Sequence, residues 1–228
     1  MLMMPSTDDD RHLEPPAPAL RFFDVGLPRG RLSFEAHAGE LVHLSGGAPI
    51  AQLRVLAIAS GHSFGGPGRC EIDGLDTKSL DAHQREALRS RQVARALLSD
   101  SLQPHLPLLA NVAQPALTRG VPAPVALHRA SLELDALGMA EQQSLPPSAL
   151  NAAETRLALV ARALVCRPRL LIVERPEVGL GGSEITSLRI ALRSAAAAGC
   201  CILMTSMHPR LAAAADRWVE IESPPLPQ

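Results

Sequence analysis

The segment Leu170 to Gly182, LLIVERPEVGLGG, allows few architectures. Leu170-Leu-Ile-Val173 runs into the acid Glu174 with no polar alternation, which predicts a strand buried on both faces. Arg175-Pro176 breaks the run, and a glycine turn then opens a helix predicted from about Ser183 to Ala198. That helix carries Ile185, Leu188, Leu192 and Ala195 along one stripe. A doubly buried strand followed by an amphipathic helix fits a mainly parallel α/β sheet with helices on both faces.

The rest of the chain repeats the alternation. Leu20 to Val25, Arg31 to Glu35 and Leu41 to Ser45 are strand-like, and Gly46-Gly47 leads into a helical run from Ile50 to Ala59. Arg69 to Ile72 reads as a short strand and Asp81 to Arg91 as a helix. From about 99 to 150, seven prolines separate short Leu/Ala-rich helical pieces, which suggests an inserted helical subdomain. Asn151 to Cys166 reads as a helix with Leu157, Val160 and Leu164 inward, followed by the strand Arg169 to Glu174. Cys200 to Ser206 is a buried-type strand, Leu211 to Ala215 a short helix and Arg217 to Ile221 a last strand. One domain is therefore expected over 20–222, with disordered tails at 1–19 and 223–228.

Charge and cysteines narrow the function classes. A net charge of -1 offers no basic field for nucleic acid. The four cysteines lack zinc-ligand spacing and are too few for a disulfide scaffold, so reduced core thiols are expected. No secretory signal is evident at the start. The longest uncharged apolar stretch, about 195–204, falls short of the roughly 20 residues a membrane span needs.

The spacing of several motifs resembles the ATPase subunits of ABC transporters, over about residues 20 to 222. Glu40 to Gly61 aligns on that family's Walker A strand, loop and helix. Leu102, Pro104, His105, Leu106, Leu109, Asn111 and Val112 resemble the LLPHLTVLENV segment frequent in its lipoprotein-export and cell-division subfamilies. Leu150 to Glu154 occupies the place of LSGGQ, and LLIVERPEVGLGG that of LLLLDEPTSGLD. Met204-Thr205-Ser206 and Ala215-Asp216-Arg217 resemble the VTH and ADR ending. The resemblance implies a P-loop NTPase-like fold with an antiparallel β edge and the inserted helical subdomain.

At the family's chemical positions this sequence departs from the pattern. A working phosphate loop, G-x-x-x-x-G-K-[ST], wraps phosphates with backbone N–H groups, neutralises them with Lys and holds Mg²⁺ with a hydroxyl. Here Gly46 remains, but Ala51, Gln52, Leu53 and Arg54 follow, and Pro49 removes a donor. Arg54 is an off-register candidate for a substitute cation. Glu174 stands for the metal-ordering Asp, and Arg175 for the catalytic Glu. Arg175 cannot act as a base, because guanidinium stays protonated. Leu98 holds the Q-loop position, Gly181 the D-loop aspartate's and Ser206 the H-loop histidine's. His208 reads as a helix-start residue. In the signature, Asn151, Ala152, Ala153 and Glu154 read either as a capping box or as a phosphate-facing helix start.

The resemblance thus implies a degenerate pseudo-ATPase subunit of an ABC transporter, with no catalytic residues in place. It would be cytoplasmic and peripheral at the inner face of the cell membrane. Its expected partners are an integral-membrane permease and either a second copy or an active ATPase subunit, with no nucleic acid. No cofactor or metal is expected, and weak residual binding of ATP and magnesium is left open. The alternatives are an atypical but active ATP-hydrolysing subunit and a stand-alone scaffolding or regulatory module.

Overall fold

The computed structural model describes residues 17–28 and 30–222. Residues 1–16 and 223–228 of the expected tails lie outside the described residues. The end of the expected tail is packed: Pro18 and Ala19 are buried, and the Ala19 carbonyl accepts the Asp73 N–H at 3.0 Å.

In chain order the strands and helices are β1 (Leu20–Gly26), β2 (Arg31–Ala36), β3 (Leu41–Gly46), α1 (Pro49–Ala59), β4 (Arg69–Ile72), β5 (Leu75–Asp76), α2 (Ala82–Gln92) and β6 (Val93–Ala96). Then come α3 (Leu108–Thr118), α4 (Ala123–Ala136), α5 (Ala152–Leu164), β7 (Leu170–Glu174), α6 (Gly182–Ala197), β8 (Cys201–Thr205), α7 (Pro209–Ala212) and β9 (Arg217–Ile221). Two strands, β5 and β6, were not expected from the sequence. The strands form two sheets: an antiparallel one, β2-β1-β4-β5, and a fully parallel one, β6-β7-β8-β3-β9.

Period-two alternation divides the parallel strands between two cores. Leu170, Ile172, Cys201, Leu203, Val42 and Leu44 face α1 and the antiparallel sheet. Leu171, Val173, Ile202, Met204 and Leu41 face α3 to α6. Both faces are covered, as the apolar runs of β7 and β8 require, since every residue of these two strands is buried. Helix α1 lies between the sheets through Val55, Leu56, Ile58 and Ala59.

The insert is helical as expected, and buried Asn111 closes its entrance. The Asn111 Oδ1 accepts the Gln103 N–H at 2.6 Å, and its Nδ2 donates to the carbonyls of Gln103 and Leu106 at 3.0 and 2.9 Å. Cys70, Cys200 and Cys201 are free and buried, and burial first of all pushes each thiol up to about 12. Cys166 is free but only half-buried. Among the described residues no helix is long and apolar enough to cross a membrane.

Candidate functional site

The candidate residues converge at the carboxyl ends of the parallel strands, where open α/β sheets expose their loops. Gly46 ends β3, Glu174 ends β7, Leu98 follows β6 by two residues and Ser206 follows β8 directly. The strand order places these four ends side by side.

The turn after β3 is short. Strand β3 ends at Gly46 and α1 starts at Pro49, so only Gly47 and Ala48 connect them. Proline suits this first helical position, where its missing N–H has no intrahelical role. The N–H groups of Ala51 and Gln52 both donate to the Ala48 carbonyl, at 2.8 and 3.2 Å. The Gln52 side chain folds back, its Nε2 donating to the Gly46 carbonyl at 2.8 Å. Ile50 and Leu53 are exposed. Arg54 is exposed too and makes no ion pair among the described residues.

Gly46 and Gly47 adopt φ of +66° and +64°, which side chains disfavour. Packing demands glycine as well. A Cβ on Gly46 would stand 2.6 Å from the Ile221 carbonyl oxygen, and one on Gly47 would stand 2.8 Å from Ile221 Cγ2. The end of β9 therefore explains both glycines without a ligand.

At the end of β7, Glu174 is 8% exposed, and its Oε2 accepts the Leu98 N–H at 2.9 Å. The loop after β6 is held at further points. Arg156 and Arg162 of α5 donate to the carbonyls of Leu97 and Ser101, at 3.0 and 2.7 Å, and Asp100 accepts the Leu97 N–H at 2.8 Å. Arg175 sits at φ +40°, a strained value for a residue with a side chain. Its N–H donates to the Thr205 carbonyl at 2.9 Å, while its buried Nε lies 4.0 Å from Glu177 and makes no hydrogen bond.

Sequence reasoning missed Glu177 and His43. Glu177 accepts the Ser206 hydroxyl at 3.0 Å and the Met207 N–H at 2.8 Å, tying the loop after β7 to the loop after β8. His43, 4% exposed on β3, bonds the Ser206 carbonyl through Nε2 at 2.9 Å. A carbonyl only accepts, so that nitrogen carries the proton, and Nδ1 is left without a partner. His208 caps α7 as expected, its Nδ1 accepting the Arg210 N–H at 3.2 Å.

At the signature position the helix-capping alternative is formed. Asn151 Oδ1 accepts the Glu154 N–H at 2.9 Å, and Glu154 Oε2 accepts the Asn151 N–H at 2.8 Å. Gln142 Nε2 donates to the other Glu154 oxygen at 3.2 Å. The loop after β7 packs beside this helix start: a Cβ on Gly179 would lie 3.9 Å from Ala152 Cβ. Among the described residues no cluster of three or more His, Cys, Asp or Glu is arranged to hold a metal.

No family model matches the chain. It is 31% identical over 203 residues to the lipoprotein-releasing system ATP-binding protein LolD of Novosphingobium aromaticivorans, covering 86% of this chain and 88% of that protein. It is 30% identical over 180 residues to LolD of Maricaulis maris, covering 78% and 79%. It is 28% identical to the probable export ATP-binding/permease protein MacB of Pseudomonas entomophila, matching 83% of this chain but 28% of that longer protein. The dimeric structure of MJ0796, a bacterial ABC transporter cassette, superposes with a TM-score of 0.80 at 17% identity, covering 88% of this chain and 94% of that one. At that identity the likeness speaks for the fold.

Proposed function

The chain belongs to the ATP-binding subunits of ABC transporters, and from that premise we propose that it is a non-hydrolysing member, acting through its surfaces rather than by turning over ATP. The observation that carries this reading is the turn after β3. Phosphate binding by this fold uses an open loop of backbone N–H groups plus a lysine. Here the N–H groups of Ala51 and Gln52 bond within the first turn of α1, and Gln52 closes on Gly46 instead of projecting a cation.

Magnesium nucleotide fits the remaining residues poorly. Leu53 is where the metal's hydroxyl ligand belongs, and one oxygen of Glu174 is taken by Leu98. Arg175 cannot accept a proton from water. Loss of one preorganised charge-stabilising group typically costs about 10²- to 10³-fold in rate. In this chain the lysine, the hydroxyl, the glutamate and the H-loop histidine are all replaced, and no other group at the site takes over their chemistry.

On this reading the chain works at the cytoplasmic face of a membrane, docked on a permease. It pairs with an active ATPase subunit or with a second copy. The names of the relatives support such partners: LolD belongs to a lipoprotein-releasing system, MacB joins ATP-binding and permease parts, and the MJ0796 cassette is dimeric. Titration calorimetry with Mg-ATP should show no saturable binding at micromolar concentrations, and purified protein should release no phosphate. Magnesium-dependent hydrolysis that Glu174→Gln abolishes would overturn the proposal. Pull-down from solubilised membranes should recover an integral membrane protein.

One observation favours a second reading, an atypical active ATPase: Arg54 is exposed beside the turn with no ion-pair partner among the described residues. That reading expects micromolar ATP affinity that falls on Arg54→Ala.

A further inference from the structure

A cavity of about 700 Å³ lies by the amino ends of β7 and β8, at the opposite end of the parallel sheet from the candidate site. The ends of α4, α5 and α6 wall it, through Ala136, Leu164 and Ala195, together with the loops that lead into β7 and β8. Small side chains leave the space open, and its volume is in the range of small-molecule sites.

Glu133, in the last turn of α4, is the only acid that lines it. This side chain is half-buried and makes no hydrogen bond or ion pair among the described residues. Two local effects oppose its charge. Burial raises its pKa, and the last turn of a helix is the negative end of the helix dipole. Helices α5 and α6 bring two more such ends to the same walls. The neighbouring guanidinium groups leave the carboxylate unanswered. Arg169 is held by Asp73 at 2.6 Å, and Arg167 is exposed, so that its charge opposes the rise in the Glu133 pKa without forming an ion pair. The Cys200 thiol, pushed up to about 12 by burial, adds no charge at neutral pH.

We propose that this cavity binds a small primary amine, its ammonium group on the Glu133 carboxylate and its apolar body against Leu164 and the alanines. An ammonium group offers three donors and answers both the carboxylate and the helix ends. A neutral ligand leaves the Glu133 charge unpaired, and an anion adds to the negative ends. A carboxylate placed in a cleft against its local chemistry is a feature of functional sites.

The site does not depend on whether the chain hydrolyses ATP. The test titrates the full chain with 4-phenylbutylamine, 4-phenylbutanol and 4-phenylbutyrate, which share one apolar body and differ in charge. One-site binding of the amine is expected, at least fivefold tighter than the alcohol, with the butyrate weakest. Glu133→Gln should bring the amine to within twofold of the alcohol. Carbon-13 NMR of the carboxyl groups should show the Glu133 pKa lowered by bound amine and not by bound alcohol. Ser194→Trp, at an exposed lining position, should abolish binding of all three. Absence of saturable amine binding would overturn the proposal, as would amine binding that Glu133→Gln leaves unchanged. A preference for 4-phenylbutyrate that is lost in Arg167→Gln would also overturn it, by making the cavity an anion site.

Discussion

A methyl group added to Gly46 has nowhere to go, because Ile221 stands in its path and the backbone there is left-handed. Gly46→Ala should therefore destabilise the protein by about 1–3 kcal/mol, as overpacking does, measured by urea denaturation with no nucleotide present. Glu133 makes a second prediction. Desolvation raises its pKa, with Arg167 opposing, so the folded state holds this proton more tightly than the unfolded chain. Stability then falls as pH rises through the window from the unfolded value of about 4.3 up to the folded one, and stays lower above it. Glu133→Gln should raise Tm at pH 7 and give no gain at pH 3, read by thermal unfolding at both. At this scale Leu98, Arg175 and Ser206 could be singled out beforehand as departures from a resembled pattern, and the fold sets them at neighbouring strand ends. Glu177 was not. In sequence it is one polar residue in a turn, and its partners Ser206 and Met207 come from another loop.

Helix α5 shows what an element's own chemistry settles. Its capping box satisfies donors at the amino end, and Asn151→Ala should cost about 1 kcal/mol of stability by urea denaturation, with the helix otherwise intact. The motif's spacing made this cap readable beforehand, though not the choice between capping and facing a ligand. Strand β6 was the opposite case. Val93-Ala-Arg-Ala96 is four residues long with a charge inside it, and nothing local marks it as extended. It is a strand because β7 offers an edge to pair with, from Val93 opposite Leu170 to Ala96 opposite Val173. Asn111 lies between these cases. Its place in the family-like segment was visible, but its bonds to Gln103 and Leu106 required the fold. Replacing Asn111 with Leu should cost about 1–3 kcal/mol, because the Gln103 N–H and the carbonyls of Gln103 and Leu106 would lose their shared partner.

For the molecule as a whole, the alternating strands and helices announced a covered parallel sheet, while the pairing of β1 with β4 in a separate antiparallel sheet rests on contacts distant in sequence. Burial differs among the thiols accordingly. In the native protein a thiol reagent should modify Cys166 first, and Cys70, Cys200 and Cys201 only at the rate of global unfolding. A counting experiment by mass spectrometry distinguishes one early adduct from four simultaneous ones. The two-residue link between β3 and α1 has its own consequence for any attempt to write a phosphate loop into this chain. Swapping in glycine, lysine and serine at 51, 52 and 53 spells a phosphate loop but leaves Pro49 anchoring the helix a few residues upstream. Such a redesign would begin by unwinding that first turn, so the backbone resists the change more than its letters suggest.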